Sequence, residues 1–168
     1  MTDKKYVDSV KTGEFTERQL EILATKKGYI VTKSTKKQDI HEHIDYIFED
    51  STRTKKLTVD VKARKRISRD GEQQDEWMWV EFKNVLGLIG WLYGKADLIA
   101  FELENDFIIV KRKDLLDLCE KIVDKTKIVT SAKLAKYVGY KRFKRKDLIS
   151  LINISDIKSL KHEIWQKI

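Results

Sequence analysis

The order of apolar and polar positions divides the chain into segments of two periods. Over 14–27 (EFTERQLEILATKK), Phe15, Gln19, Ile22 and Lys26 fall near one line with Leu20, Leu23 and Ala24 beside it. That spacing predicts an amphipathic helix, with Gly28 as its stop. Period two follows. Tyr29 to Lys33 predicts a strand, and 39–48 alternates Ile40, Glu42, Ile44, Tyr46 and Phe48 against Asp39, His41, His43, Asp45 and Ile47, which predicts a second. A third, 57–63, sets Leu57, Val59, Val61 and Ala63 on one face and Thr58, Asp60 and Lys62 on the other, giving it an apolar back and a charged front.

Beyond it, ARKRISRDGEQQDE carries the turn dipeptide Asp70-Gly71 at an exposed polar tip, and WMWVEFK predicts a fourth strand. Gly87, Gly90 and Gly94 cluster around Trp91 and Tyr93 and mark an irregular loop. Strands are expected over 97–103 and 107–111, joined by Glu104-Asn105-Asp106, and a helix over 112–124 through Leu115, Leu118, Cys119 and Ile122. A hairpin of 140–145 with 147–154 comes next, and Ser155 is placed to cap a last helix carrying Ile157, Leu160, Ile164 and Trp165. With no internal repeat and no linker rich in Gly, Ser or Pro, the expectation is one α/β (α+β) domain over 1–168, a central mixed sheet flanked by helices. Residues 1–125 would form its core and 126–168 a basic hairpin and helix extension.

Composition narrows the function classes. The chain has 168 residues, and 41% of them are hydrophobic, enough to build a core. Its 35 Lys and Arg against 27 Asp and Glu leave a net +8, which favours a polyanionic partner. No apolar run approaches the roughly 18 residues of a membrane helix and MTDKKYVDSV has no apolar leader, so no membrane partner and a cytoplasmic location are expected. The lone Cys119 forms no internal disulfide, and His41, His43 and His162 are too few for a zinc finger. Two basic tracts stand out. Lys62, Arg64, Lys65, Arg66 and Arg69 follow the third strand, and KLAKYVGYKRFKRK supplies Lys133, Lys136, Lys141, Arg142, Lys144, Arg145 and Lys146, with Tyr137, Tyr140 and Phe143 between them. Cations interleaved with aromatics suit phosphate contact and base stacking, although the aromatics fit a hairpin core equally well.

The most informative spacing is Asp45 in one strand and Asp60-Val61-Lys62 fifteen positions later in the next. Alternation projects Asp60 and Lys62 from one face, and pairing of adjacent strands brings Asp45 beside them. Two converging carboxylates repel, and a hard divalent cation relieves them. Such a cation would polarise a phosphodiester and lower the pKa of its water. The competing reading is an ordinary surface ion pair of Asp60 with Lys62, worth at most ~1 kcal/mol. Glu81-Phe82-Lys83 repeats the acid-x-lysine pattern, yet lies thirty-six residues from Asp45. Gly94-Lys95 is followed by Ala96 rather than Ser or Thr, so it is no phosphate loop. His41 and His43 lack a third histidine nearby, and Trp77, Trp79 and Trp91 are expected in the core.

With Glu17 in an N-terminal helix, Asp45 in HIDYIF and Asp60-Val61-Lys62 in LTVDVKAR, the chain resembles the PD-(D/E)XK nuclease superfamily over its first two-thirds. The stretch WMWVEFKNVLGLIGWLYGKADLIAFE is similar to phage and bacterial members of unassigned role. Ile44 stands where the family name puts proline, and no helix is evident between the third strand and the next. The resemblance implies a restriction-endonuclease-like fold and a metal-dependent DNA endonuclease using Mg²⁺, with Mn²⁺ as substitute. It makes Asp45 and Asp60 metal ligands, Lys62 the catalytic lysine and Glu17 the helical acid; the strand reading itself adds the Val61 backbone carbonyl as a further metal ligand. Glu17 fits the helix macrodipole as well as it fits catalysis. A catalytically inactive DNA-binding protein on the same fold is the alternative, a protein-interaction module comes third, and a homodimer stays open.

Overall fold

The computed structural model describes the backbone from Lys4 to Ile168 and side chains from Val10 onward; most of MTDKKYVDSV therefore lies outside the described side chains. In chain order the elements are α1 (Lys4–Lys26), β1 (Ile30–Lys33), β2 (Tyr46–Glu49), β3 (Lys56–Lys62), β4 (Lys65–Arg66), β5 (Gln73–Gln74), β6 (Trp77–Lys83), β7 (Leu98–Glu102) and β8 (Asp106–Lys111). Then come α2 (Arg112–Ile122), β9 (Asp124–Val129), β10 (Val138–Tyr140), β11 (Leu148–Asn153), α3 (Ile154–Lys158) and β12 (His162–Gln166). The fold is mixed α and β with few helices.

Two compact units are built from interleaved segments. The first takes 1–63, 96–109 and 163–168, the second 64–95 and 110–162. A cut near residue 125 therefore separates neither: the basic extension expected over 126–168 is divided between the units.

The first unit holds a six-stranded sheet of order β1-β2-β3-β7-β8-β12. Strands β1, β2 and β3 form an antiparallel meander, and β7 pairs parallel to β3, with Asp60 opposite Ile99. Helix α1 buries Thr16, Leu20, Leu23 and Ala24, while Phe15 and Ile22 stay exposed, so the packed stripe is offset from the Phe15–Ile22 line. Its end is set by Gly28 at φ +94, where the Tyr29 N–H reaches back to the Ala24 carbonyl at 3.1 Å, a left-handed cap that a Cβ would strain. The core joins these helix residues to Tyr46, Phe48, Val59, Val61, Phe107 and Trp165.

Two expectations fail here. The strand foreseen over 39–48 is only Tyr46–Glu49, because Gln38–Glu42 forms a π-helical turn. Thr35 and Gln38 nucleate it with reciprocal bonds, Gln38 N–H to Thr35 Oγ1 at 3.2 Å and Thr35 N–H to Gln38 Oε1 at 2.9 Å, a capping pair whose Thr-x-x-Gln spacing lies open in the sequence. His43 at φ 54 then turns the chain into β2, so His41 and His43 are not strand residues. The last helix is likewise a single short turn. Asn153, not Ser155, caps it with Asp156 in a capping box, and Ile164 and Trp165 lie on β12, where Trp165 stacks on Tyr29 and Phe48 at 6.0 and 6.2 Å.

The second unit holds a four-stranded sheet of order β6-β11-β10-β9, and β4 pairs with β5 as a small hairpin carrying the Asp70-Gly71 tip. Between β3 and β7 the described chain forms one 3-10 turn, Trp91–Tyr93, and no α-helix. No described helix is long and apolar enough to cross a membrane.

Candidate functional site

The edge where β2 begins positions the acidic residues. Asp45 immediately precedes β2; its N–H donates to the Val59 carbonyl at 2.9 Å, and its Oδ2 accepts the Val61 N–H at 2.7 Å. The Asp45 carboxylate thus takes the place of a missing strand residue. Strand alternation turns the Val61 carbonyl toward this same edge. On β3, Asp60 is 3% exposed, and Lys62 Nζ lies 2.8 Å from its Oδ1. Asp60 Oδ2 is buried, and no N–H or hydroxyl donates to it. The Asp45 carboxyl stands beside Asp60, close enough for the two carboxyls to hydrogen-bond through a shared proton.

The charged front of β3 is therefore not the solvated face the alternation suggests. Burial pushes the Asp60 carboxyl up to about 7; Lys62 pulls against this and the Asp45 charge adds to it. Burial also raises Asp45, opposed by the Val61 N–H and Lys62. Glu17 is raised by burial and by Asp45, with Lys33 at 3.6 Å pulling it down. Three carboxyls in one neighbourhood all resist ionisation, the electrostatic state that a bound cation reverses. Glu17 and Asp45 share the wall of a cleft of ≈ 450 Å³ with Lys33 and Asp39, whereas Asp60 and Lys62 do not line it.

For a metal, the donor chemistry fits a hard ion held loosely. Among the described residues no group of three or more His, Cys, Asp or Glu side chains is arranged around one point. The protein offers the Asp45 and Asp60 carboxylates and the Val61 carbonyl. Mg²⁺ keeps several waters and takes only one or two carboxylates, so this set suits it, while a zinc site would want four protein donors.

Elsewhere the residues singled out in the sequence divide by neighbourhood. Glu81, on β6 in the second unit, lies 3.3 Å from the Trp91 N–H and belongs to a different sheet from Asp45. Of the basic residues, Arg64 is tied to Asp75 at 2.7 Å, and Arg142 to the buried Asp147 at 2.5 Å. Lys65, Arg66 and Arg69 are exposed around the β4–β5 hairpin, Lys133 approaches Asp70 at 3.7 Å, and Lys136 lies over the Trp77 ring at 4.4 Å. Lys141, Lys144, Arg145 and Lys146 are exposed. Trp91 is buried as expected, but Trp77 and Trp79 are half-exposed and pair with Tyr137 and Tyr140.

No family model, no curated protein and no solved structure matches the chain.

Proposed function

We propose that the first unit carries the catalytic site of a metal-dependent DNA endonuclease of restriction-endonuclease-like fold. The observation that carries this reading is the buried Asp60 Oδ2 beside Asp45, with Lys62 on the same carboxylate. Without a cation the two carboxyls hydrogen-bond through a shared proton, and a divalent cation is the natural replacement for that proton between two buried carboxylates. A helix, an antiparallel three-strand meander and a parallel fourth strand also accord with the family's core, less the crossover helix.

A divalent cation there supplies polarisation of the scissile phosphate and a bound water of lowered pKa. Of the chain's own residues, Asp45, Asp60 and the Val61 carbonyl would hold it. Lys62, whose ammonium sits on the same Asp60 carboxylate, would donate a hydrogen bond that orients the attacking water and would offset charge developing on the phosphate. Glu17, on α1, lines with Asp45 the cleft that Asp60 and Lys62 do not reach, and from there would position water beside the Asp45 carboxylate. The exposed cations of the second unit supply contacts to the phosphate backbone.

Nicking of supercoiled plasmid tests the reading. The expected result is cleavage that requires Mg²⁺ or Mn²⁺, stops with EDTA, and is lost in Asp60→Asn and Lys62→Ala, by a factor of about 100 or more, but is retained in Glu81→Gln. Undiminished cutting by both site variants overturns it. The sparse donor set favours, as second reading, a DNA-binding protein without cleavage, for which metal-independent binding with no nicking is the signature.

A further inference from the structure

The second unit holds large apolar side chains in water by construction. Because β6 and β11 run antiparallel, with Leu148 opposite Lys83, the loop that leaves β6 and the loop that enters β11 emerge side by side. They are stitched together, the Lys146 N–H donating to the Val85 carbonyl at 3.1 Å. The Asn84 side chain accepts the Leu86 and Leu88 N–H groups, each at 3.0 Å, and Gly87 adopts φ +80 with its missing Cβ facing Lys146. This fixed loop exposes Leu86 by 70% and Leu88 by 61%. In the neighbouring loop the Arg145 N–H closes a turn on the Arg142 carbonyl at 3.1 Å, Arg142 is anchored on buried Asp147, and the turn tip, Phe143, is 88% exposed. The loops' hydrogen bonds gain nothing from keeping these three side chains wet, and the one ring contact there, Lys144 Nζ 5.5 Å from the Phe143 centroid, leaves Phe143 exposed; such a surface is one that a partner covers.

Cations decide what kind of partner. Lys141, Lys144, Arg145 and Lys146 surround Phe143, and among the described residues none has a carboxylate within ion-pair distance. A second copy of this surface would set cation against cation. The partner must be anionic yet offer apolar contact between its charges, as duplex DNA does at a base step flanked by two phosphate rows. An anionic bilayer shares that chemistry, but it would engage only the loop tips. Lys65, Arg66, Lys133 and Lys136 gather at the other end of β6, about 20 Å away at strand rise, where a nucleic-acid backbone can follow the unit.

We infer that the paired loops are a wedge: Leu86 and Phe143 enter a base step from the minor groove and kink the duplex, and the surrounding cations clamp the flanking phosphates. The inference rests on DNA being the substrate. Its test is energy transfer between dyes at the two ends of a duplex of about 30 base pairs, with nicking followed in the same samples. The full-length protein and Asp60→Asn should both bind and bend the duplex by about 20–90°. The Leu86→Ser/Phe143→Ala double variant should bind with salt-sensitive affinity and leave it straight, while Phe143→Leu keeps the bend. Straight DNA under bound wild-type protein overturns the wedge, as does unchanged bending by the double variant, or capture by phosphatidylglycerol vesicles without duplex binding. Bending without nicking removes the endonuclease reading and leaves the wedge; nicking without bending does the reverse.

Discussion

At the scale of single residues, the site is defined by where ionisation is opposed. Asp60, with an ordinary carboxyl value of 3.8, is held near 7 by burial. In metal-free protein the unfolded chain releases this proton near pH 4 while the folded chain keeps it to about 7, so raising pH through that window removes stability, and below it the effect is absent. Asp60→Asn cannot ionise. Thermal unfolding in EDTA should therefore show the variant gaining on wild type as pH goes from 4 to 8, and Mg²⁺ should restore wild type at pH 8. A constant difference between the two proteins would mean that Asp60 is already ionised and satisfied by Lys62. Alternation in the sequence was enough to put Asp60 and Lys62 on one face, but not to show that the face is buried. That depends on what lies over β3, which no local pattern records.

At the scale of elements, the legible parts are those whose pattern is local. Strands β1, β3, β6, β7 and β8, α2 and the Gly28 end of α1 fall where their periodicity puts them, whereas α1 begins at Lys4 rather than at 14, and the hairpin strand expected over 140–145 is β10, Val138–Tyr140, paired with β11. The others obey something outside the period. The short turn at Gln38–Glu42 follows a capping pair rather than the alternation that runs through it, and β12 forms because Trp165 joins an aromatic stack begun by Tyr29, far away in sequence. Strand β9 (DKTKIV) is almost wholly exposed, so it carries no apolar signal to read. Tight approaches are equally silent. A Cβ on Gly90 would lie 2.3 Å from the Glu81 carbonyl oxygen, whereas one on Gly13, inside α1, meets nothing within 4 Å. Gly90→Ala should lower stability by about 1–3 kcal/mol, and Gly13→Ala should raise it by about 0.5–1 kcal/mol through helix propensity. Thermal melts of the two variants that moved in the same direction would contradict this packing.

Over the whole molecule, charge and chain are partitioned differently. Lys and Arg number 14 against 16 Asp and Glu in the segments of the first unit, and 21 against 11 in those of the second, net −2 and +10. The entire basic excess thus belongs to the unit with the exposed loops, while Asp45 and Asp60 belong to the unit whose net charge is negative. The chain, by contrast, is not partitioned at all: β1, β2 and β3 precede the exposed Asp70-Gly71 tip and β7, β8 and β12 follow it, yet all six share one sheet. The two halves of the polypeptide therefore complement one another. A protein nicked by protease at Gly71 should migrate as one particle in a native gel and separate only in denaturant, and the peptides 1–70 and 71–168, produced apart, should regain the native spectrum on mixing while neither does so alone.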